Sequence, residues 1–487
     1  MAALKDLLYG VTLMSIHGDR EMDVKTVAFD SRKVEEDTLF IAIKGLHSDG
    51  HDYISNAIGL GATAILCERL PEHIVPNITY IEAENSMRAL GKVASNFFNN
   101  ANNEIAVIGI TGTNGKTTTA TLLYQLYTQL GYKTGLISTV EIIIGSDVFP
   151  AQYTTPDALS LQQLLSQMEK SGCTHCFMEV SSHALVQHRT SGLSFKGAVF
   201  TNISHDHLDY HDTFDEYIKA KKLLFDGLNP EAFALTNIDD KRGRVVLQNT
   251  KAEKVTYAVK TMADFKAKTI HNTIEGLELE IDGINAWFKM VGDFNVYNLL
   301  AVYSCASLLG QEKEEILTAL SQLDGARGRF EIISNPMQVL AIVDYAHTPD
   351  ALDNVLSTID KLRTQQETLV TVVGCGGDRD KTKRPEMANI AARYSNKVIL
   401  TSDNPRTEDP NEILKDMMAG VSTIHQRKTM VIADRKEAIR TACNLVNKGD
   451  IVLVAGKGHE TYQEINGIRH HFDDKEILSE MLTINQR

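Results

Sequence analysis

The stretch that decides the fold is Ala106-Val-Ile-Gly-Ile-Thr-Gly-Thr-Asn-Gly-Lys-Thr-Thr-Thr119. A short apolar run leads into a glycine-rich loop that ends in Gly115-Lys-Thr-Thr118, and a helix-forming segment, Ala120 to Leu130, follows. Glycines allow backbone N–H groups to close around phosphate oxygens, and the N-terminus of the helix adds positive potential. Lys116 can reach the β- and γ-phosphates, and Thr117 can ligate Mg²⁺. The order strand, loop and helix therefore predicts a site for a nucleoside triphosphate.

The loop departs from the general phosphate-loop pattern G-x-x-x-x-G-K-[ST] at its first glycine. That glycine would fall at position 110, which is Ile110, and the glycines stand at Gly109 and Gly112 instead. A chance glycine-rich turn is the alternative interpretation. The strand on one side and the helix on the other favour nucleotide binding over that alternative.

The length and charge of the chain limit its class. A chain of 487 residues predicts three domains, because domains commonly hold roughly 150 residues. The formal net charge of −14 argues against nucleic acid as a main partner. No apolar stretch reaches the length of about 18 residues that a transmembrane helix needs, and the segment Met1–Asp6 lacks the features of a signal peptide. We therefore expect a cytoplasmic protein without a transmembrane segment.

The six cysteines are scattered along the chain, which fits a reducing compartment. Cys173 and Cys176 have C-x-x-C spacing, but no second pair accompanies them, and they begin an apolar, strand-like run. Buried thiols are therefore expected here rather than a zinc or redox site.

Repeated strand, loop and helix patterns predict an α/β protein. In the first part of the chain, strands are expected at 24–31, 38–43 and 62–67. The polar stretch 99–103 and the segment 325–330 are typical of linkers. The predicted domains are therefore 1–102, 103–326 and 327–487. The central domain is expected to contain a mostly parallel sheet.

The C-terminal part combines apolar runs with charged loops. The runs predict strands at 339–344, 369–374, 397–401 and 451–455. The charged, glycine- or proline-containing loops are 374–385, 403–410 and 456–460. Because ligands bind at the carboxyl ends of parallel strands in open α/β sheets, we expect these loops to form one site for a zwitterionic ligand. For any single loop, a solvated turn is the alternative.

Acidic and imidazole side chains near the phosphate loop are candidate metal ligands. Glu179 is expected near the end of a buried strand, where a carboxylate commonly holds the Mg²⁺ of a nucleotide; capping of the following helix is the alternative. The segment 201–212 contains three histidines and three aspartates. Three interpretations remain open for it: a transition-metal site, one histidine at the Mg²⁺ site, or a polar loop that caps the next helix. The order of these residues does not match a structural zinc site.

A lysine occupies the apolar side of a predicted helix over 213–228. The apolar stripe consists of Phe214, Tyr217, Ile218, Leu224, Phe225 and Leu228. Lys221 falls at the centre of this stripe at about 100° per residue, whereas Lys219 and Lys222 lie to the side and Leu223 lies off the stripe. Such a lysine must extend to solvent, pair, or be chemically altered. Carbamylation would make it an anion able to bridge metal ions, but from the residues alone solvent extension or a salt bridge is favoured.

Taken together, the motifs resemble those of the Mur ligases over essentially all 487 residues. The matching stretches are 111–118, the Glu179 loop, Asp206-His207, Gly292-x-Phe294-Asn295-x-x-Asn298, Gly328-Arg329-Phe330-Glu331 and Asp344-Tyr-Ala-His347. The phosphate loop of this family has the glycine spacing seen around Ile110. The resemblance implies an N-terminal UDP-binding domain, a central ATPase domain and a C-terminal Rossmann-like domain that brings the amino acid.

Within the family, five stretches resemble those of members that add diaminopimelate: TTPD, EVSSHAL, GGDRDKTKRP, DNPR and GKGHE. The resemblance implies an ATP-dependent ligase of peptidoglycan precursor synthesis. It would add meso-2,6-diaminopimelate to the D-glutamate of UDP-N-acetylmuramoyl-L-alanyl-D-glutamate through an acyl phosphate. These small molecules and ATP are the expected partners of a monomer. A lysine-adding Mur ligase and a folylpolyglutamate-type ligase remain alternatives, whereas a regulatory GTPase is disfavoured because Thr236–Asp239 lacks the lysine of N-K-x-D.

The resemblance also implies roles for individual residues. ATP contacts are implied for Gly112, Thr113, Asn114, Gly115, Lys116, Thr117, Thr118, Asn295, Arg329 and Asp344. Contacts to the UDP-linked substrate are implied for Phe29, Ser31, Leu46, His47, Ser48, Thr154, Thr155, Ser181, Gln187 and Arg189. The Mg²⁺ ligands would be Thr117, Glu179, His207 and carbamylated Lys221. The catalytic set would be Lys116, Glu179, His207 and Lys221. Diaminopimelate would be held by Arg379, Asp403, Asn404, Pro405, Arg406, Gly456 and Glu460.

The choice of amino acid is expected to depend on Arg406. meso-Diaminopimelate is lysine with an extra carboxylate at its far end, and a planar guanidinium can donate two parallel hydrogen bonds to that carboxylate. Lysine-adding relatives lack arginine in this motif. Glu460 would pair the distal ammonium, and L-lysine would leave Arg406 unpaired at a cost on the order of 2–5 kcal/mol.

Overall fold

The computed structural model describes residues 1–45, 48–204, 210–211 and 213–484, and within them the chain forms three α/β domains. Each domain is built around its own sheet, of five, eleven and six strands in chain order. The α/β class with mostly parallel sheets is confirmed. The domain limits at 102/103 and 326/327 stay a prediction. No helix within the described ranges is long and apolar enough to cross a membrane.

The N-terminal sheet has the strand order Leu13–His17, Thr79–Ala83, Ala62–Cys67, Thr38–Ile41 and Thr26–Ala28. Only its first pair is antiparallel. Strands Ala2–Ala3 and Asp23–Val24 form a separate pair. The α-helices are Leu4–Leu7, Ile54–Gly59 and Ser86–Phe97, and the 3-10 helices are Ser31–Lys33, Gly50–Tyr53 and Ala101–Asn103.

The predicted strand 24–31 is wrong in length. Its paired part within the sheet is Thr26–Ala28, because Asp30 accepts a hydrogen bond of 3.0 Å from Arg32 N and starts the 3-10 helix Ser31–Lys33. The strand predicted at 38–43 likewise ends at Ile41, whereas the strand 62–67 is confirmed.

The central sheet is parallel in its middle and antiparallel at both edges. Its strand order is Asp147–Pro150, Glu141–Ile144, Thr134–Ile137, His175–Glu179, Ala106–Thr111, Gly197–Phe200, Phe233–Asn237, Glu253–Ala258, Phe265–Thr273, Gly276–Ile281 and Ile284–Phe288. Its helices are Lys116–Gln129, Ala158–Lys170, Ser182–Val186, Phe214–Asp226, Gly243–Val246, Asp293–Leu308 and Lys313–Gln322. Two large apolar clusters cover the two faces of the sheet. The phosphate-loop strand Ala106–Thr111 therefore lies between two buried parallel neighbours.

The C-terminal sheet has the order Glu331–Ile333, Leu340–Asp344, Ile451–Ala455, Leu369–Cys375, Lys397–Ser402 and Thr429–Val431, and only its first strand is antiparallel. A separate hairpin is formed by Tyr462–Ile465 and Ile468–His471. The helices are Pro349–Leu362, Lys383–Tyr394, Pro410–Met418, Thr423–Gln426, Arg435–Asn444 and Asp474–Ile484. The four predicted strands of this part are confirmed to within a residue or two.

The six cysteines are buried free thiols. Cys173 and Cys176 lie on either side of the start of the strand His175–Glu179, and burial raises the pKa of the Cys176 thiol. This burial confirms the expectation for the C-x-x-C pair.

Candidate functional site

The phosphate loop, Gly112–Gly115, requires glycine at both ends. Gly112 has φ of +154°, and a Cβ there would lie 1.9 Å from Thr201 Oγ1. Gly115 has φ of +85°, and a Cβ there would lie 2.6 Å from Asn298 Oδ1. Ile110, by contrast, is fully buried in the core of the sheet. An apolar residue at position 110 therefore suits this fold better than the glycine of the general pattern.

The helix after the loop begins at Lys116, four residues before the predicted start at Ala120. The first turn of the helix consequently carries the loop's functional side chains. Lys116 Nζ donates to Gly112 O at 3.0 Å and to Thr113 O at 2.8 Å. Thr117 Oγ1 accepts a hydrogen bond of 3.0 Å from Arg329 Nη2, which reaches across from the C-terminal part of the chain.

A cavity of about 520 Å³ opens in front of the phosphate loop. It is lined by Asn114, Gly115, Thr118, Asn298, Arg329 and Asp344, among others. Asn295 supports this wall from behind, because its Oδ1 accepts from Asn298 Nδ2 at 2.9 Å and its Nδ2 donates to Val291 O at 2.8 Å. Thr113 is buried and its hydroxyl lies 3.1 Å from the Tyr217 hydroxyl.

Two acidic residues of this cavity are fixed by hydrogen bonds. Asp344 accepts from Phe330 N at 2.6 Å and from Ala346 N at 2.7 Å. Burial raises the pKa of Asp344, and the positive charge of Arg329, which lowers it, offsets only part of this effect. Asp239 was not foreseen as a site residue. Its carboxylate accepts from the Thr261 hydroxyl at 2.5 Å, from three consecutive backbone N–H groups, at 259–261, and from the Tyr297 hydroxyl at 2.9 Å. Burial opposes its ionisation, but these hydrogen bonds outweigh burial and lower the pKa of Asp239 to about 2.

Glu179 is the last residue of its strand, as predicted, and is completely buried. Its Oε1 accepts from Thr139 N at 2.7 Å, while its buried Oε2 has no hydrogen-bond partner among the described residues. A buried carboxylate oxygen without a partner is costly unless a ligand satisfies it. Glu179 Oε2 is therefore suited to coordinate a bound cation. His207 lies outside the described residues, as do the other histidines and aspartates of the segment 201–212 except His211.

Lys221 lies on the helix Phe214–Asp226, which Thr213 caps by accepting from Glu216 N at 3.2 Å. The side chain is buried, its Nζ donates to Gly112 O at 2.8 Å and lies 4.5 Å from the centre of the Tyr217 ring. It therefore contacts the phosphate loop instead of extending to solvent. Leu223 is 47% exposed, as its place off the stripe predicts. Lys222, to the side of the stripe, is buried as well, which was not predicted: it is only 8% exposed and pairs with Asp226 at 2.5 Å.

Four of the residues assigned to the UDP-linked substrate lie together. Thr155 Oγ1 donates to Glu179 O at 2.9 Å and accepts from Ser181 N at 3.1 Å. Arg189 Nη1 donates to Thr155 O at 2.8 Å, and its Nη2 donates to Gln187 Oε1 at 2.7 Å. This substrate cluster, Thr155, Ser181, Gln187 and Arg189, is thus joined directly to the strand that carries Glu179.

The remaining residues of that assignment are spread over other elements. Thr154 accepts a hydrogen bond of 3.1 Å from the Thr139 hydroxyl and lines a second cavity, described below with the C-terminal loops. Phe29 packs on the apolar core of the N-terminal domain and Ser31 begins a 3-10 helix there. Ser48 is exposed. Leu46 and His47 lie outside the described residues.

The three charged C-terminal loops meet at a second cavity of about 590 Å³, which we call the amino-acid cavity. Its lining includes Arg379, Asp403, Asn404, Arg406, Gly456 and Glu460. Thr154 and His183 of the central domain form another part of its wall. Pro405 is not among its lining residues; the Pro405 carbonyl oxygen lies against Gly377, where a Cβ would come within 2.0 Å of it. Tyr345 and His347 line both this cavity and the cavity of the phosphate loop.

Opposite charges are held in place around the amino-acid cavity. Arg406 Nη1 donates to Gly377 O at 2.7 Å, and its Nε lies 3.8 Å from Glu464 Oε2. Burial and the charge of Asp403 raise the pKa of Glu460. Burial opposes ionisation of Asp403, but the charges of Lys457 and Arg435 outweigh it and lower its pKa.

Three buried cations of this region were missed from the sequence. Lys457 lies among Asp403, Asn404 and Glu460. Arg435 forms a fully buried pair with Asp474 at 2.7 Å. Arg384 pairs with Glu408 at 2.9 Å and so ties loop 374–385 to loop 403–410. Lys457 stands in a charged loop, and Arg384 and Arg435 stand in the first turns of helices, so apolar periodicity did not reveal them, and only the pairing in the fold distinguishes these cations from solvated ones.

A cavity of about 710 Å³ between the N-terminal and central domains is larger than either of these. It is lined by Arg88, Lys92 and His188, among others, and by none of the residues assigned to the site. Cavity size alone therefore does not indicate a functional site here. The two smaller cavities are the candidates because the predicted phosphate-binding and charged loop residues converge on them.

Comparisons with known proteins agree with the motifs. Three family models match the chain: "Mur ligase family, catalytic domain" at 23–113, "Mur ligase middle domain" at 110–306 and "Mur ligase, glutamate ligase domain" at 328–458. A UDP-N-acetylmuramoyl-L-alanyl-D-glutamate–2,6-diaminopimelate ligase of Cytophaga hutchinsonii is 57% identical, with 98% of this chain and 99% of the relative aligned. The ligase of the same name in Clostridioides difficile is 41% identical over 99% of both chains.

Solved structures show the same relationship. One titled as the structure of UDP-N-acetylmuramoyl-L-alanyl-D-glutamate–2,6-diaminopimelate ligase is 32% identical, with a TM-score of 0.71 over 100% of this chain and 99% of that one. A MurF ligase of Thermotoga maritima in complex with ADP, 21% identical with a TM-score of 0.64 over 94% of this chain and 97% of that one, shares the fold. From the three family models and the full-length relatives, this chain belongs to the Mur ligase family.

Proposed function

We propose that this chain is an ATP-dependent amide ligase that joins meso-2,6-diaminopimelate to the D-glutamate of UDP-N-acetylmuramoyl-L-alanyl-D-glutamate, with release of ADP and phosphate. Relatives aligned over nearly the whole chain carry this reaction in their names. The observation that carries the proposal is the shared wall of the two cavities. Tyr345 and His347 separate a phosphate-loop cavity from one that presents both Arg406 and Glu460.

The first step in this proposal is activation of the D-glutamate carboxylate, which is a poor electrophile. Its oxygen attacks the γ-phosphorus of ATP, ADP leaves, and an acyl phosphate forms. Lys116, at the start of its helix, would stabilise the charge on the transferring group. Glu179 and Thr117, with His207, would hold Mg²⁺, which when bound neutralises phosphate charge. The unpartnered Oε2 of Glu179 supports this assignment.

The second step forms the amide. A neutral amine of diaminopimelate attacks the acyl carbon, and phosphate leaves from the tetrahedral intermediate. Arg406 would bind the distal carboxylate and Glu460 the distal ammonium. The remaining amine would then face the central domain, where Thr154 and His183 form the wall. Holding the amine in place in this way supplies much of the rate enhancement expected of such a site.

We further infer that Lys221 acts as a carbamate. The ammonium would first lose one proton, and the neutral amine would then add to CO₂ with loss of a second proton. This forms an N–C bond, converts one C=O of CO₂ into the carbamate carboxylate, and replaces a positive charge by a negative one. The carbamate nitrogen keeps one N–H, so it can still donate to Gly112 O, the acceptor that Nζ contacts at 2.8 Å. The new carboxylate would lie beside the phosphate loop, where it could ligate a cation.

An ATP hydrolysis assay tests the proposal. ADP release is expected only when the UDP-linked dipeptide and an amino acid are both present, and mass spectrometry is expected to find the diaminopimelate tripeptide. Fast hydrolysis by the enzyme alone would contradict the ligase function. A panel with L-lysine, and with a folate and glutamate, separates the two alternative ligases. Equal turnover with either would overturn the proposed substrate.

A further inference from the structure

Lys457 lies behind the amino-acid cavity and is fully buried. Its Nζ is 3.0 Å from Glu460 Oε2, 3.1 Å from Asn404 Oδ1 and 3.4 Å from Asp403 Oδ1. The ring of Tyr462 covers the ammonium at 5.5 Å. Lysine is almost never fully buried unless it is paired. All three oxygens belong to residues that line the cavity, whereas Lys457 is not among its described lining residues.

The contacts of Lys457 fix the orientation of the Asn404 amide. Asn404 Oδ1 accepts from Lys457 Nζ and also from Glu464 N at 2.9 Å. Its Nδ2 therefore has to point the other way, and it donates to Glu460 Oε2 at 2.8 Å. Turning the amide over would place N–H groups against two donors and leave Glu460 Oε2 with one donor fewer.

Glu460 consequently presents its two oxygens differently. Oε2 receives hydrogen bonds from Lys457 and Asn404. Oε1 accepts no hydrogen bond from the described residues and is left for a ligand in the cavity. Asp403, a buried carboxylate, lies beside the same ammonium. Without Lys457, the buried Asp403 and the partly buried Glu460 would have no cation between them, which disfavours the ionised form of Glu460.

We propose that Lys457 is a positioning residue for the amino-acid substrate, which keeps Glu460 ionised and, through Asn404, directs its second oxygen at an ammonium group of the ligand. This inference rests on the proposed function, since it requires an amino acid in the cavity. Lys457 acts through Asn404 and Glu460 and touches neither substrate nor phosphate.

The first test replaces Lys457 by methionine, which is similar in length and has no charge. For K457M we expect the KM for diaminopimelate to rise at least tenfold. The kcat at saturating diaminopimelate and the KM for ATP should each change less than threefold. Lys448, an exposed lysine of the same domain, supplies the matched control, and K448M is expected to match the parent enzyme. A K457M enzyme with the parental KM for diaminopimelate, or with both KM values raised alike, overturns the proposal.

A double-mutant cycle with E460Q gives a readout that a general structural role would not produce. If Lys457 acts through Glu460, K457M/E460Q should have a KM for diaminopimelate within threefold of that of E460Q alone. Independent roles would instead multiply the two effects, and that result contradicts the proposal.

The double variant also removes one of the two carboxylate charges that K457M leaves without the Lys457 ammonium, so its comparison with E460Q decides the matter if K457M fails to fold. The parent enzyme separates the two levels of inference. If it forms no diaminopimelate tripeptide, the proposed function fails. A normal parental product together with multiplicative effects overturns the role of Lys457 alone.

Discussion

Replacement of Arg406 by alanine tests the choice of amino acid most directly. In the structure, the guanidinium keeps an acceptor at Gly377 O, at 2.7 Å, and lies 3.8 Å from the Glu464 carboxylate. Its side chain is 22% exposed. The cost of about 2–5 kcal/mol expected from the sequence for binding L-lysine requires an unpaired Arg406 guanidinium. The contacts with Gly377 and Glu464 show that the guanidinium keeps partners even without a ligand. The expected discrimination is therefore smaller than the upper end of that estimate.

The size of the R406A effect follows from the hydrogen bonds that Arg406 would donate to the distal carboxylate of diaminopimelate. A hydrogen bond to a charged group contributes about 1.5–3 kcal/mol, which corresponds to roughly 10- to 150-fold in affinity. We expect R406A to raise the KM for meso-diaminopimelate by this factor. The KM for ATP should change less than about twofold, because Arg406 contacts the hairpin and loop 374–385 of the amino-acid cavity and not the phosphate loop. The preference over L-lysine should collapse by the same factor.

The assay is steady-state ADP release at saturating UDP-linked dipeptide, with either amino acid varied. E464Q serves as the control, since a partly exposed ion pair contributes about 0.2–1 kcal/mol and its loss should shift the KM by at most about fivefold. The reasoning is refuted if the parent enzyme uses L-lysine as well as diaminopimelate. It is equally refuted if R406A retains the parental KM.

Three further outcomes are expected. K221A should lose roughly 100-fold or more in kcat, as when a positioned charge is removed. Short carboxylic acids added to the assay should restore part of this kcat. Full activity of K221A would exclude the carbamate role. G115A should raise the KM for ATP at least tenfold, measured by ADP release, because its Cβ would lie 2.6 Å from Asn298 Oδ1 at a φ of +85°. Asp239 has a folded-state pKa of about 2 against an unfolded value of about 3.9, so its stabilising contribution is complete above pH ~4 and is lost as pH falls towards 2. In urea unfolding, the stability difference between the parent and D239N should shrink over that interval, and a constant difference would contradict it.

Patterns with a strong period predicted the structure best. The phosphate-loop strand, the helix that carries Lys221 and the exposure of Leu223 all follow from apolar spacing. The four C-terminal strands follow from unbroken apolar runs, because strands buried on both faces have no polar alternation to obscure them. Loops placed after such strands could also be assigned to one edge of the sheet.

Features that depend on a single side-chain contact were not predicted. Asp30 ends a strand early by capping a 3-10 helix. Asp226 allows Lys222 to be buried through a pair one helical turn away. Lys457 appears in the sequence as one more charged loop residue, and only the convergence of two loops shows that it is enclosed. Periodicity reports which side of an element is apolar, whereas such pairs depend on residues distant in the sequence.

Contacts between domains join the two halves of the site. Arg329 donates to the Thr117 hydroxyl at 3.0 Å, and Asn114 Nδ2 donates to Asp350 Oδ2 at 2.9 Å. Arg329 also stacks over the Tyr345 ring at 4.4 Å. Residues of the C-terminal part thus contact the phosphate loop through its first helical turn and through its tip.

These contacts give a physical reason for building the site across two sheets. An acyl phosphate hydrolyses in water, so it should form only where the attacking amine is already in place and water is excluded. Tyr345 and His347 stand between the two cavities and belong to the loop that follows the strand Leu340–Asp344. Any movement of the C-terminal domain towards the phosphate loop therefore carries the amino-acid cavity with it. In the proposed reaction, the position of this one strand end would couple activation of the carboxylate to delivery of the amine.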